Sequence, residues 1–111
     1  MKKVEIGELR ERVTIQAPGP PVDDGGGGVT VFWTDLATVW AAIRPVSNVE
    51  RYYAQQVEAS TTHEIFIRWR GDVKNAMRVL HRGAVYDIKS VLDLDGRHRF
   101  LKLQCEEAPD A

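Results

Sequence analysis

The sequence predicts an all-β fold, a small antiparallel β-barrel of about six or seven strands with one long loop or short helix inserted. Three observations predict it. Apolar and polar residues alternate with a period of two through most of the chain, turn residues separate the alternating segments, and strand and helix patterns do not alternate as βαβ units. The chain has 111 residues, of which 43% are apolar and 28% charged, ordinary values for a globular domain. That length supports one hydrophobic core and reads as a single domain over residues 1–111.

Each element follows from its local pattern. In RERVTIQA, Val13 and Ile15 point one way and Arg12, Thr14 and Gln16 the other, which marks a half-buried strand. Residues 18–28, PGPPVDDGGGG, combine three prolines without backbone donors and five glycines with a large ordering entropy, and so predict a flexible hairpin loop. The run VTVFWTDLATVWAAIRPV is rich in β-branched and aromatic residues. It predicts strands near 29–34 and 36–44, interrupted at Thr34-Asp35 and ended by Pro45.

From Asn48 to Ala59 the period changes. NVERYYAQQVEA has good helix formers, an Asn48 N-cap, and Val49, Tyr52, Tyr53, Gln56 and Val57 at spacings of three and four, so a short helix is expected there. TTHEIFIRWR then sets Ile65, Ile67 and Trp69 against Glu64, Phe66, Arg68 and Arg70, and Gly71-Asp72 closes that strand. MRVLHR and AVYDIKSVLDL flank Gly83, the turn residue of a tight hairpin that lacks the Asn-Gly pair favoured by a type I′ turn. Met77, Val79, Leu80, Val85 and Ile88 read as core and hairpin residues. Asp95-Gly96 is a further turn, after which HRFLKLQCEE places Leu101, Leu103 and Cys105 on one side. The acidic end, EEAPDA, is expected to fray.

Composition excludes several classes of function. Fifteen Lys+Arg against 16 Asp+Glu give a net charge of −1, unlike a protein that holds nucleic acid by charge alone. No apolar stretch approaches the roughly 20 residues that span a bilayer, and MKKVEIGELRER has no apolar core of a signal peptide. Cys105 is the sole cysteine, so no internal disulfide or CxxC site forms and a reducing cytoplasm suits the chain.

Candidate chemistry is sparse. His63, His81 and His98 fall in no catalytic or metal-ligand spacing, and HExxH, GxSxG and P-loop motifs are missing. Each histidine reads as a solvated strand residue and Cys105 as a small core residue; no catalytic residue, metal or cofactor is expected. The glycines at 25–28 precede a strand, whereas a phosphate cradle launches a helix. Arg68, Arg70, Lys74, Arg78 and Arg82 surround the Gly71–Asn75 connection. On one hairpin they form a basic contact patch beside Trp69 for DNA phosphates or an acidic partner, or equally a charged edge that discourages unwanted pairing.

Segments in a fixed order carry a family resemblance. TVWAAIRPVS is followed by ERYYAQQVEASTTHEI, then by AMRVLHRGAVYDIKSVLD, and finally by RFLKLQCEE. With GELRERVTIQ, the Gly-rich loop and WTDLATVWAAI, these cover nearly the whole chain. The sequence resembles the phage head-tail joining family, the small head-closure or stopper proteins of long-tailed bacteriophages and gene-transfer particles.

That resemblance implies a β-barrel, assembled in the bacterial host cytoplasm, that forms a ring in the virion neck, a dodecamer in the family. Its partners are other copies of itself, the head-side adaptor and portal complex, the tail or tail-terminator protein, and the packaged double-stranded DNA in the channel. The segment 45–61 corresponds to the stopper loop, which changes conformation between free subunit and ring, and Glu50, Tyr52, Tyr53, Gln55 and Gln56 are its channel-closing candidates. Three alternatives stand beside this reading. One is a sister role in the neck as adaptor or tail terminator. Another is a monomeric single-stranded nucleic-acid-binding module using Phe66, Trp69 and nearby arginines. The third is a small hydrolase using a histidine and Cys105.

Overall fold

The computed structural model describes residues 6–46 and 61–108. Eight strands follow a short 3₁₀ turn at Ile6–Glu8: β1 (Glu11–Pro18), β2 (Val22–Asp23), β3 (Val29–Thr30), β4 (Trp33–Pro45), β5 (His63–Arg68), β6 (Arg78–His81), β7 (Ala84–Asp93) and β8 (Phe100–Glu107). Six of them close an antiparallel barrel in the order β1-β4-β5-β8-β7-β6, with β6 returning to β1. Closure pairs every strand on both sides and leaves no free barrel edge. The expected helix over 48–59 lies outside the described residues.

Alternation builds the core. Val13 and Ile15 of β1, Ile65 and Ile67 of β5, and Leu101, Leu103 and Cys105 of β8 are all buried, joined by Ala41, Val79, Tyr86 and Ile88. Each such aliphatic side chain contributes about 1.5–3 kcal/mol by leaving water. Met77 packs against the core, and Leu80 and Val85 are half-buried.

Four local expectations change. The interruption at Thr34-Asp35 is instead a bulge inside one continuous strand, because Ile15 faces Ala37 while Gln16 faces Asp35, leaving Leu36 unpaired. The Gly/Pro stretch is internally paired: Val22 faces Thr30 and Asp23 faces Val29. Its turn is tied by side chains, with Gly25 donating to Asp23 Oδ1 at 2.9 Å and Gly26 to Asp24 Oδ1 at 2.8 Å. At the β6–β7 hairpin, Arg82 (φ 50°) and Gly83 (φ 85°) both have positive φ, so a two-residue loop of type I′ character forms with arginine where asparagine is favoured. Glu106 and Glu107, expected to fray, belong to β8, and Ala108 donates to the Val85 carbonyl at 2.8 Å.

Candidate functional site

The chain leaves the barrel after β4 and re-enters at β5, and the two crossing points are fastened together. Pro45 faces His63 and Arg44 faces Glu64 in the ladder, and the Val46 N–H donates to the Thr62 carbonyl at 2.8 Å. Thr62 is held in turn by β8: its N–H donates to Cys105 O at 2.9 Å, and its Oγ1 accepts the Glu107 N–H at 2.7 Å.

Electrostatics reinforce the same place. Glu64 lies on the outer face of the barrel yet is buried, with Arg44 of β4 in direct ion-pair contact on one side and Lys102 Nζ of β8 at 3.4 Å on the other. A carboxylate held between cations on both neighbouring strands fixes their register. His63 packs edge-on against Tyr86 with ring centroids 4.9 Å apart. Burial, with Glu107 nearby, pushes the Tyr86 phenol above its usual range. The candidates Glu50, Tyr52, Tyr53, Gln55 and Gln56, borne by the insertion that starts and ends here, lie outside the described residues.

The basic candidates are spread over several surfaces, because β5 and β6 are not neighbours in the barrel. Arg78 donates to Gln16 Oε1 at 2.8 Å and lies 4.2 Å from the Trp33 ring. Arg82 approaches Glu11 at 3.6 Å, and Lys74 is exposed on the connecting loop. Arg70 pairs with Asp72 through two hydrogen bonds of 3.0 and 2.9 Å, which hold the Asp72 carboxyl below the usual carboxylate range.

Arg68 and Arg70 instead meet residues from the start of β1 and the middle of β4. A groove of about 700 Å³ is lined by Leu9, Arg10, Arg12, Thr38, Val39, Trp40, Arg68, Trp69 and Arg70. Arg12 faces Trp40 across the ladder, its guanidinium 4.8 Å from the indole. Trp69 stacks on His98 at 4.5 Å. Phe66 is half-buried and does not line this groove. Sequence reasoning missed Arg10, Arg12 and Trp40 as groove residues. Parity signals only that Trp40, opposite to buried Ala41, turns a large aromatic residue outward; its place beside Arg12 comes from the β1–β4 register.

Of the three histidines only His98 is exposed. The expectation of solvated strand histidines fails for His63, packed on Tyr86, and for half-buried His81, whose Nε2 lies 2.9 Å from Glu11 Oε1. Cys105 is fully buried, and burial with Asp87 nearby pushes its thiol up to about 12. A thiol that stays protonated at neutral pH is a poor nucleophile. Among the described residues no group of three or more His, Cys, Asp or Glu side chains is placed to hold a metal ion.

Comparison with known proteins places this geometry. The family described as "Phage head completion protein" matches residues 4–108. Head completion protein gp16 of Bacillus phage SPP1 is 31% identical over 85 residues, covering 76% of this chain and 78% of that protein. The solution structure of protein SF1141 from Shigella flexneri 2a superposes with a TM-score of 0.75 at 29% identity, covering 97% of this chain and all of that one. A chain from the virion of a native gene transfer agent particle shares the fold, with a TM-score of 0.65 at 21% identity over 93% of this chain and 97% of that one. With every described residue inside the family match, the chain belongs to the phage head completion protein family.

Proposed function

We propose that this chain is a structural, non-enzymatic component of the virion neck. Copies of it dock as a ring on the head-side adaptor and portal complex, close the DNA exit channel after packaging, and join the head to the tail or its terminator. The family match supports the head completion role. The observation that carries the closing role is the fastened base of the insertion. A closed barrel holds both ends of residues 47–60 side by side through the Val46–Thr62 hydrogen bond and the Arg44–Glu64–Lys102 ion pairs.

On this reading the insertion is the stopper loop. Rotational symmetry brings Glu50, Tyr52, Tyr53, Gln55 and Gln56 of neighbouring copies together around one axis. Each loop is already held in the ring, so its effective concentration is high and individually weak contacts between loops sum to a plug. A net charge of −1 suits a channel that must release DNA, since the 15 basic residues are balanced by 16 acidic ones and leave no net excess of cations to hold the phosphates.

Deleting residues 48–58 tests the assignment. Particles carrying the deletion are expected to package DNA and then lose it; normal infectivity of those particles overturns the stopper-loop role. Replacing Tyr53 and Gln56 together by alanine is expected to weaken closure while changing subunit stability by no more than about 1 kcal/mol.

A further inference from the structure

The β2–β3 ribbon forms an arm between β1 and β4 whose apolar side chains face water. Val29 is 71% exposed and Phe32 64%, with Val22 and Val31 exposed beside them. The same arm carries Asp23 and Asp24 at its glycine turn. The ladder sets Val29 beside Asp23 on one face of the ribbon and Val22 beside Thr30 on the other, and exposed apolar residues gathered on one arm mark a contact surface.

The groove at the other end of the β1–β4 ladder has the opposite character. Trp40, 54% exposed, and Trp69 provide apolar walls, and Arg10, Arg12 and Arg68 supply positive charge. Arg70, already paired with Asp72, adds little to that charge. Arm and groove are separated by the ladder from Arg12–Trp40 to Pro18–Trp33, about 20 Å at roughly 3.3 Å per residue. None of the arm's residues lines the groove of its own chain.

We propose that the β2–β3 arm of one copy seats in the Trp40–Trp69 groove of the next. Phe32 and Val29 lie against the indoles, and Asp23 and Asp24 approach Arg12 and Arg68. The occupant is a second copy because one chain carries both halves of the match, apolar against apolar and acid against base. Two different patches placed at opposite ends of one ladder give a head-to-tail contact, the kind that closes into a ring when the rotation per copy divides a full turn. The charged rim steers the encounter, and the buried aromatic contacts hold it.

The inference rests on the ring reading above, and its test separates the two. A photo-cross-linking amino acid is placed at Phe32, an exposed position, and assembled particles are irradiated. The expected product is a covalent dimer of this chain, with the attachment mapped to residues 36–42 or 66–70. Attachment to a different protein or to DNA, or no cross-link in particles that contain the chain, overturns the arm-in-groove contact and leaves the ring reading standing. Absence of the chain from intact particles overturns the ring reading itself.

A charge test provides a second readout. Arg12→Glu with Arg68→Glu is expected to lower the yield of complete particles about tenfold or more. Adding Asp23→Asn and Asp24→Asn, which removes the acid-acid repulsion and keeps the Oδ1 acceptors that tie the turn, is expected to restore most of the yield. An undiminished yield in the first variant, or no rescue in the second with subunits still folded by circular dichroism, contradicts the pairing.

Discussion

Val46 and Thr62 are joined by a backbone hydrogen bond of 2.8 Å, although fifteen residues separate them in sequence. Described residues on either side of the insertion therefore already bring β4 and β5 together. Their ladder from Ala41–Ile67 to Pro45–His63 already does so. A purified variant lacking residues 48–58 should fold, with a thermal midpoint within about 5 °C of the parent, because shortening a loop changes its closure entropy only slowly. A collapse of the cooperative transition would mean that the insertion is part of the barrel's support.

Glu64 is the residue on which that base depends. Replacing it by alanine leaves Arg44 and Lys102 on neighbouring strands without the carboxylate between them. The expected cost is about 3 kcal/mol, the range seen when one partner of a largely buried ion pair is removed. Urea denaturation of E64A, K102M and the double variant measures it. A double variant no less stable than E64A alone identifies the loss as an uncompensated charge, since the two effects then fail to add.

Cys105 gives a pH dependence of known sign. Its thiol titrates near 9 in the unfolded chain and is pushed up to about 12 by burial. Below pH 9 both states keep the proton and the stability is unaffected. Between 9 and about 12 only the unfolded chain releases it, so stability falls with rising pH by up to about 1.4 kcal/mol per pH unit. Cys105→Ala should cost about 1–3 kcal/mol at pH 7 through the cavity it leaves, and its deficit against the parent should narrow above pH 9. A deficit that does not change with pH places the thiol in a more hydrated site than the structure shows.

At the β6–β7 turn, Gly83→Ala should destabilise by about 1 kcal/mol, because φ of 85° is costly for a residue with a Cβ. Arg82→Asn should stabilise by about 0.5 kcal/mol, since asparagine accepts positive φ more readily and the arginine gives up only a 3.6 Å contact with Glu11. Thermal melts of both variants check the pair. Equal melts would show that the turn relaxes into another form.

The fold was legible wherever period-two alternation ran against a single core. Val13 with Ile15 and Leu103 with Cys105 are placed by parity alone, and the structure buries all four. What parity does not encode is which strands become neighbours. Arg68 and Arg78 stand on either side of a short connection in sequence, yet β5 and β6 lie apart in the closed barrel, so the arginines face different surroundings. For the same reason the Arg12–Trp40 groove was out of reach, since it exists only through the β1–β4 register. The bulge at Leu36 was half visible, as Thr34-Asp35 interrupted the β-branched run without signalling that the strand continues beyond it. The Gly/Pro stretch hid its pairing because its ribbon is tied by Asp23 and Asp24 side chains, a local device that composition does not reveal.

Electron cryo-microscopy of intact DNA-filled particles tests the central claim most directly. The account predicts this barrel repeated as a ring in the neck below the capsid, with density for residues 47–60 crossing the central channel ahead of the DNA end. A ring whose insertions point outward and leave the channel open, or a neck without this barrel, would contradict it.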